Sequence, residues 1–276
     1  MLIVESTTDI STPTGVMRLH WFVPTMPGWQ PGRGKFAGIV VYSEIYQVTE
    51  PIKRFCRTVS GQGYIVAAPE IYHEHEPAGT ALPYDNPGTD RGNALKVAKP
   101  VTSYDSDAKA AINALVEHPQ CTGAVGVAGI CVGGHLAYRA CLDSRVRCAA
   151  LIEPTDIHSG SLGKGGDDSL AKMADVKKSG AELVWIFGHL DNHIPHEGRT
   201  TIRTALQKHE IPHTFVELHS VQHAFIRDEL SKGRYDPAMA AAAMGIVWEL
   251  FSRRLRVEWE VERDEREKGS RGKASL

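Results

Sequence analysis

The stretch Gly129-Ile130-Cys131-Val132-Gly133-Gly134 constrains this chain more than any other. An apolar run, Ala124-Val125-Gly126-Val127-Ala128, precedes it, and His135-Leu136-Ala137-Tyr138-Arg139-Ala140 follows. That pattern predicts a strand, a sharp turn and a helix. Gly-x-Cys-x-Gly is the nucleophile elbow with cysteine in the serine position. Such a turn holds its central residue in a strained backbone conformation, and Gly129 and Gly133 remove the Cβ atoms that would collide there. The thiol then lies at a helix N-terminus, where unpaired N–H groups favour negative charge. Cys131 is therefore the candidate nucleophile for acyl transfer.

The rest of the chain supplies a frame for such a turn. Val4 to Val23, split by Ser11-Thr12-Pro13-Thr14-Gly15, predicts an N-terminal hairpin. Pro24 to Lys35 is rich in Pro and Gly and predicts a loop. Strands are predicted at Phe36–Tyr42, Gly63–Pro69, Val146–Ile152, Leu183–Phe187 and Thr214–Leu218. Helices are predicted from Thr49 to about Ser60, over Thr102–His118, over Pro195–His209 and from Pro237 to about Arg256, with a short one at Leu170–Val176. Glu70 to Pro100 predicts one long irregular segment, a length usually reserved for function or disorder. Continuous apolar strands alternating with helices argue for an α/β architecture, a mainly parallel central sheet with helices on both faces. The expected organisation is a single domain over residues 1–256 and a charged tail over 257–276.

Composition narrows the function classes. The net charge of -2 gives no reason to expect nucleic acid or an anionic membrane as partner. No apolar run is long enough to cross a bilayer. Met1-Leu2-Ile3-Val4 meets Glu5 too soon to be a secretory core. Five cysteines without a CxxC pair point to a reducing compartment, so a cytoplasmic location is expected. Cys56, Cys121, Cys141 and Cys148 read as small buried hydrophobes.

Cys131, Asp191 and His223 occur in the order nucleophile, acid, base, which is the chain order of α/β-hydrolases. All three directly follow predicted strands, and in open α/β sheets ligand sites lie at the carboxyl ends of strands. Each residue type answers a chemical need. The thiol proton must be accepted or balanced by an imidazole. That imidazole must be held in one tautomer by a carboxylate. An oxyanion needs two backbone N–H donors. Val132 supplies one, and the other is expected from the loop Ser43 to Tyr46. A metal reading of His189, Asp191, His193 and His196 competes, but no HExxH or second ligand cluster supports it.

These residues resemble the dienelactone hydrolase (carboxymethylenebutenolidase) family of cysteine enzymes. The resemblance runs from about Ile39 to Phe251. It is carried by Tyr42-Ser43-Glu44-Ile45-Tyr46, Gly61-Gln62-Gly63-Tyr64, Ala68-Pro69-Glu70-Ile71-Tyr72, the elbow, Gly188-His189-Leu190-Asp191 and His223-Ala224-Phe225. It implies the α/β-hydrolase fold and a lactone or ester opened through a Cys131 thioester, giving a dicarboxylic acid. It also implies that Glu44 controls the thiol proton, that Ile45 gives the second oxyanion N–H, and that Arg227 and Arg91 bind a substrate carboxylate. No cofactor and no metal are implied; the partner is a small lactone or ester, and the protein a monomer or homodimer. Thr155 to Gly180 is longer than the compact family pattern, and the tail is extra. A broader carboxylesterase or thioesterase, or a catalytically silent thiol-bearing binding or redox module, therefore remains open at this stage.

Overall fold

A computed structural model describes residues 1–25, 35–164 and 166–255. The predicted tail at 257–276 and nearly all of the predicted Pro24–Lys35 loop lie outside the described residues.

The hairpin forms as β1 (Leu2–Thr12) and β2 (Gly15–Thr25), turning at Pro13-Thr14. Six more strands follow: β3 (Phe36–Tyr42), β4 (Tyr64–Pro69), β5 (Cys121–Ile130), β6 (Val146–Ile152), β7 (Glu182–Gly188) and β8 (His213–Leu218). They form one sheet in the order β1-β2-β4-β3-β5-β6-β7-β8. β1, β2 and β4 pair antiparallel in turn, and every pair from β4 to β8 is parallel.

Strand periodicity sorts the core. In β3, Phe36, Val40 and Tyr42 face one side of the sheet, and Ala37, Ile39 and Val41 the other. β7 divides the same way, Leu183, Trp185 and Phe187 against Val184 and Ile186. Helices α1 (Glu50–Gly61) and α7 (Pro237–Arg254) cover one face. The other face is covered by α3 (Val101–Glu117), α4 (Val132–Ala140), α5 (Met173–Ser179) and α6 (His196–Lys208). The strands are apolar on both sides because both sides are covered.

One expectation fails within Glu70–Pro100. The segment contains α2 (Asn86–Ala98), whose N-cap Asp85 accepts the Gly88 N–H at 2.7 Å. The helix is hidden in the sequence because it carries two glycines and buries only Gly88, Gly92 and Leu95. Gly92 is needed for contact, since a Cβ there would lie 2.6 Å from the Ile45 carbonyl oxygen. The short helix expected at Leu170–Val176 begins three residues later, at Met173.

Strand order reverses between β3, which leads outward to β4, and β5, which leads the other way to β6. The crevice at such a switch point is where open α/β sheets bind ligands. Glu44 follows β3 and Cys131 follows β5, so both lie at that switch point.

Candidate active site

The elbow is present as expected. Cys131 has φ 61° and ψ -127°, a conformation that costs a non-glycine residue of order 1–3 kcal/mol. Its neighbours make that turn possible. A Cβ on Gly129 would lie 2.0 Å from the Gly133 carbonyl oxygen, and one on Gly133 would lie 2.2 Å from that of Tyr42. The sharp turn leaves Cys131 partly exposed, whereas the other four cysteines are buried. Burial pushes those thiols up, Cys148 to about 12, so they are poor nucleophiles.

Asp191 ends the turn after β7, and His223 lies in the turn after β8. Their side chains meet, with His223 Nδ1 2.7 Å from Asp191 Oδ2, and both residues are buried. The other Asp191 oxygen accepts the His193 N–H at 2.8 Å, which fixes the carboxylate. Burial opposes a charged imidazole at His223. Electrostatic attraction to the Cys131 sulfur and hydrogen bonds to Asp191 and Cys131 together outweigh it and raise His223 well above its ordinary value. Burial likewise opposes charge on Asp191, and its bond to His223, the charge of that imidazole and the His193 N–H together outweigh burial and lower it.

Cys131 and His223 share one cavity of about 390 Å³ with Glu44, Ile45 and Arg227. Arg227 Nη1 donates to Glu44 Oε1 at 2.9 Å, and both side chains are almost fully buried. Tyr84 donates to the other Glu44 oxygen at 3.3 Å and lies under the guanidinium, whose carbon is 4.5 Å from its ring centre. Among the described residues, Nε and Nη2 of Arg227 are buried without a hydrogen-bond partner, although Glu229 stands 4.0 Å from Nε. Val132 opens α4, so its N–H is one of the four that a helix leaves without an internal acceptor.

Arg91 is placed elsewhere. It lies on α2, donates to Glu76 at 2.7 Å and leaves half its side chain exposed, and it is not part of the cavity wall. The reason is geometric, because α2 turns a different face to the cavity, through Thr89, Asn93 and Lys96. Lys96 bonds Asp156 at 2.7 Å and so ties α2 to the segment that carries Thr155, His158, Ser159 and Ser161 into the same wall. That segment therefore forms part of the pocket wall. Lys232 and Arg234 complete the basic side of the cavity.

The four groups of the metal reading do not converge. Among the described residues, the sets close enough to share an ion are His73, Glu74 and Asp107, and Glu153, Asp191 and His223. In the first, the buried ammonium of Lys99 already bonds Glu74 and Asp107.

The sequence profile of the dienelactone hydrolase family matches residues 25–255. The chain belongs to the dienelactone hydrolase family. This dienelactone hydrolase family member is 45% identical over 261 residues to a Saccharomyces cerevisiae protein named "putative carboxymethylenebutenolidase", covering 94% of each chain. It is 24% identical over 225 residues to a carboxymethylenebutenolidase of a Pseudomonas species, covering 81% of this chain and 87% of the relative. In fold it is similar to a solved Klebsiella pneumoniae protein described as a "putative dienelactone hydrolase", with a TM-score of 0.77. That match has 21% identity and covers 92% of this chain and all of the other. The sheet and its flanking helices are those of the α/β-hydrolase fold, and the family is one of hydrolases.

Sequence reasoning passed over Glu153, Tyr84, Lys96, Lys232 and Arg234. Glu153 had a readable signal, since it directly follows β6 just as Cys131 follows β5. The others come from loops and from α2, where no local pattern indicates which side chains turn inward.

Proposed function

We propose that this protein hydrolyses a lactone or ester that bears a free carboxylate, through a thioester on Cys131. The observation that carries this reading is the shared cavity. A strained, partly exposed thiol, an imidazole bonded to a buried carboxylate, and an arginine with unpartnered N–H groups all line it.

Substrate carboxylate docks on Nε and Nη2 of Arg227, a fork suited to a carboxylate in a dry site. Its charge neutralises the guanidinium that holds Glu44 through Nη1, and Glu44 is released to take the Cys131 proton. The thiolate attacks the carbonyl carbon, and the oxyanion rests on the N–H groups of Val132 and Ile45. The carbon–oxygen bond breaks, the leaving oxygen takes the proton of the His223 imidazolium and the thioester remains. Thioester formation removes the thiolate charge, one of the causes that raise His223. The imidazole becomes a base and takes a proton from water, hydroxide displaces the thiolate to give the second acid, and Glu44 returns its proton to Cys131. The net change is addition of one water.

A broader ester or thioester range is the second reading. It is favoured by the 155–161 segment in the cavity wall and by the placement of Arg91 outside it. Hydrolysis of cis- and trans-dienelactone by wild type and Cys131→Ala tests the proposal. Turnover lost only in the variant supports nucleophile and substrate class together. Equal turnover in both ends the nucleophile assignment. No turnover by wild type, with Cys131 still alkylated, moves the substrate to other esters.

A further inference from the structure

Glu153 has no part in the mechanism above, yet it is a carboxylate in the interior, fully buried directly after β6. Its backbone is held at φ 49°. Its Oε2 accepts the Ala224 N–H at 2.5 Å, from the residue next to His223. Its Oε1 has no hydrogen-bond partner among the described residues. The site has room for that oxygen because position 188 is glycine, where a Cβ would lie 3.1 Å from it. A carboxylate oxygen of Glu153, one of Asp191 and a ring nitrogen of His223 all lie within 4.8 Å of one another. One imidazole therefore lies close to acids from two adjacent strand ends, β6 and β7.

We propose that Glu153 is a positioning residue with two roles, fixing the turn that carries His223 and serving beside Asp191 as a second acid for that imidazole.

The physical argument is that two carboxylates beside one imidazole do not both ionise freely. Burial comes first in pushing Glu153 up to about 8. The charge of His223 opposes this, and the charges of Asp191 and Glu44 add to it. With Asp191 ionised, Glu153 is mostly neutral at pH 7. With the Asp191 charge removed, one of the negative charges that hold Glu153 neutral disappears. Its ionised form can then balance the imidazolium. A side chain kept only for packing would gain nothing from that change.

The inference rests on the reading of His223 as the base of a Cys131 hydrolase, and the test separates the two. Four proteins are compared: wild type, Glu153→Gln, Asp191→Asn and the double variant. Gln keeps an oxygen acceptor for the Ala224 N–H but cannot carry charge. The expected result is that Glu153→Gln costs at least ten times more kcat in the Asp191→Asn background than in the wild-type background, with KM unaffected. Equal cost in both backgrounds overturns the proposal. The second readout needs no substrate, namely the pH profile of Cys131 alkylation by iodoacetamide. Above about pH 8 the alkaline limb of wild type should lie at higher pH than that of Glu153→Gln, because the ionised Glu153 favours the imidazolium. Superimposed profiles overturn the proposal, and this comparison stands even if the double variant does not fold. Loss of ester turnover in all proteins, with the profiles still displaced, would instead count against the hydrolytic reading alone.

Discussion

Replacing Arg227 with methionine should destabilise the protein strongly, and the reason lies in Glu44 rather than in arginine packing. The pair is nearly inaccessible to water, with side-chain exposures of 4% and 2%. Removing the guanidinium leaves Glu44 with the Tyr84 hydroxyl at 3.3 Å as its remaining side-chain donor. Breaking a buried pair by deleting one partner typically costs about 3–5 kcal/mol, because a charge is left uncompensated. Methionine retains much of the volume, so altered packing should add less than about 1.5 kcal/mol. Loss of the guanidinium from the Tyr84 ring, 4.5 Å away, adds of order 0.5–2 kcal/mol. At about 2–4 °C per kcal/mol, the pair term alone corresponds to a Tm lowered by roughly 6–20 °C. Denaturant unfolding with the slope held constant gives the free energy directly. The decisive comparison is the double variant Glu44→Gln/Arg227→Met, which has no charge to strand and should recover most of the loss. If Arg227→Met costs under about 1 kcal/mol, or the double variant is no more stable than it, the stranded-charge argument is wrong.

Other outcomes follow from the same geometry. Gly133→Ala should give insoluble protein or lose more than about 3 kcal/mol, since its Cβ would meet the Tyr42 and Ser43 carbonyl oxygens at 2.2 and 2.5 Å; a near-wild-type Tm would contradict the elbow packing. Iodoacetamide should label Cys131 before any other cysteine, and His223→Ala should slow that labelling; peptide mass mapping that finds another site first would sink the assignment. Glu153 is pushed from an ordinary 4.5 up to about 8, so between those values the folded protein holds a proton that the unfolded chain releases. That group's contribution therefore falls as pH rises from 4.5 to 8. Glu153→Gln should gain in Tm relative to wild type across this window, and a constant difference would show that the carboxyl does not titrate there.

Local sequence determined a great deal. Continuous apolar runs such as Phe36–Tyr42 and Leu183–Phe187 identify doubly covered strands because every position in them must leave water. Gly129 and Gly133 announce the elbow because nothing larger fits against Gly133 and Tyr42. Strand-end positions brought Cys131, Asp191 and His223 into view, since a parallel sheet gathers its carboxyl ends along one edge. Tertiary structure alone decided what those residues meet. The strand order placed Glu44 at the β3–β5 switch, and the turn after His223 carried Arg227 to it across 183 residues of chain. It also made a helix of Asn86–Ala98, against weak local propensity, because Gly92 lets it lie close on Ile45. That helix sent Arg91 to Glu76 and Lys96 to Asp156. Side-chain direction on a glycine-bearing helix, and the pairing of charges distant in sequence, depend on packing that no local pattern records.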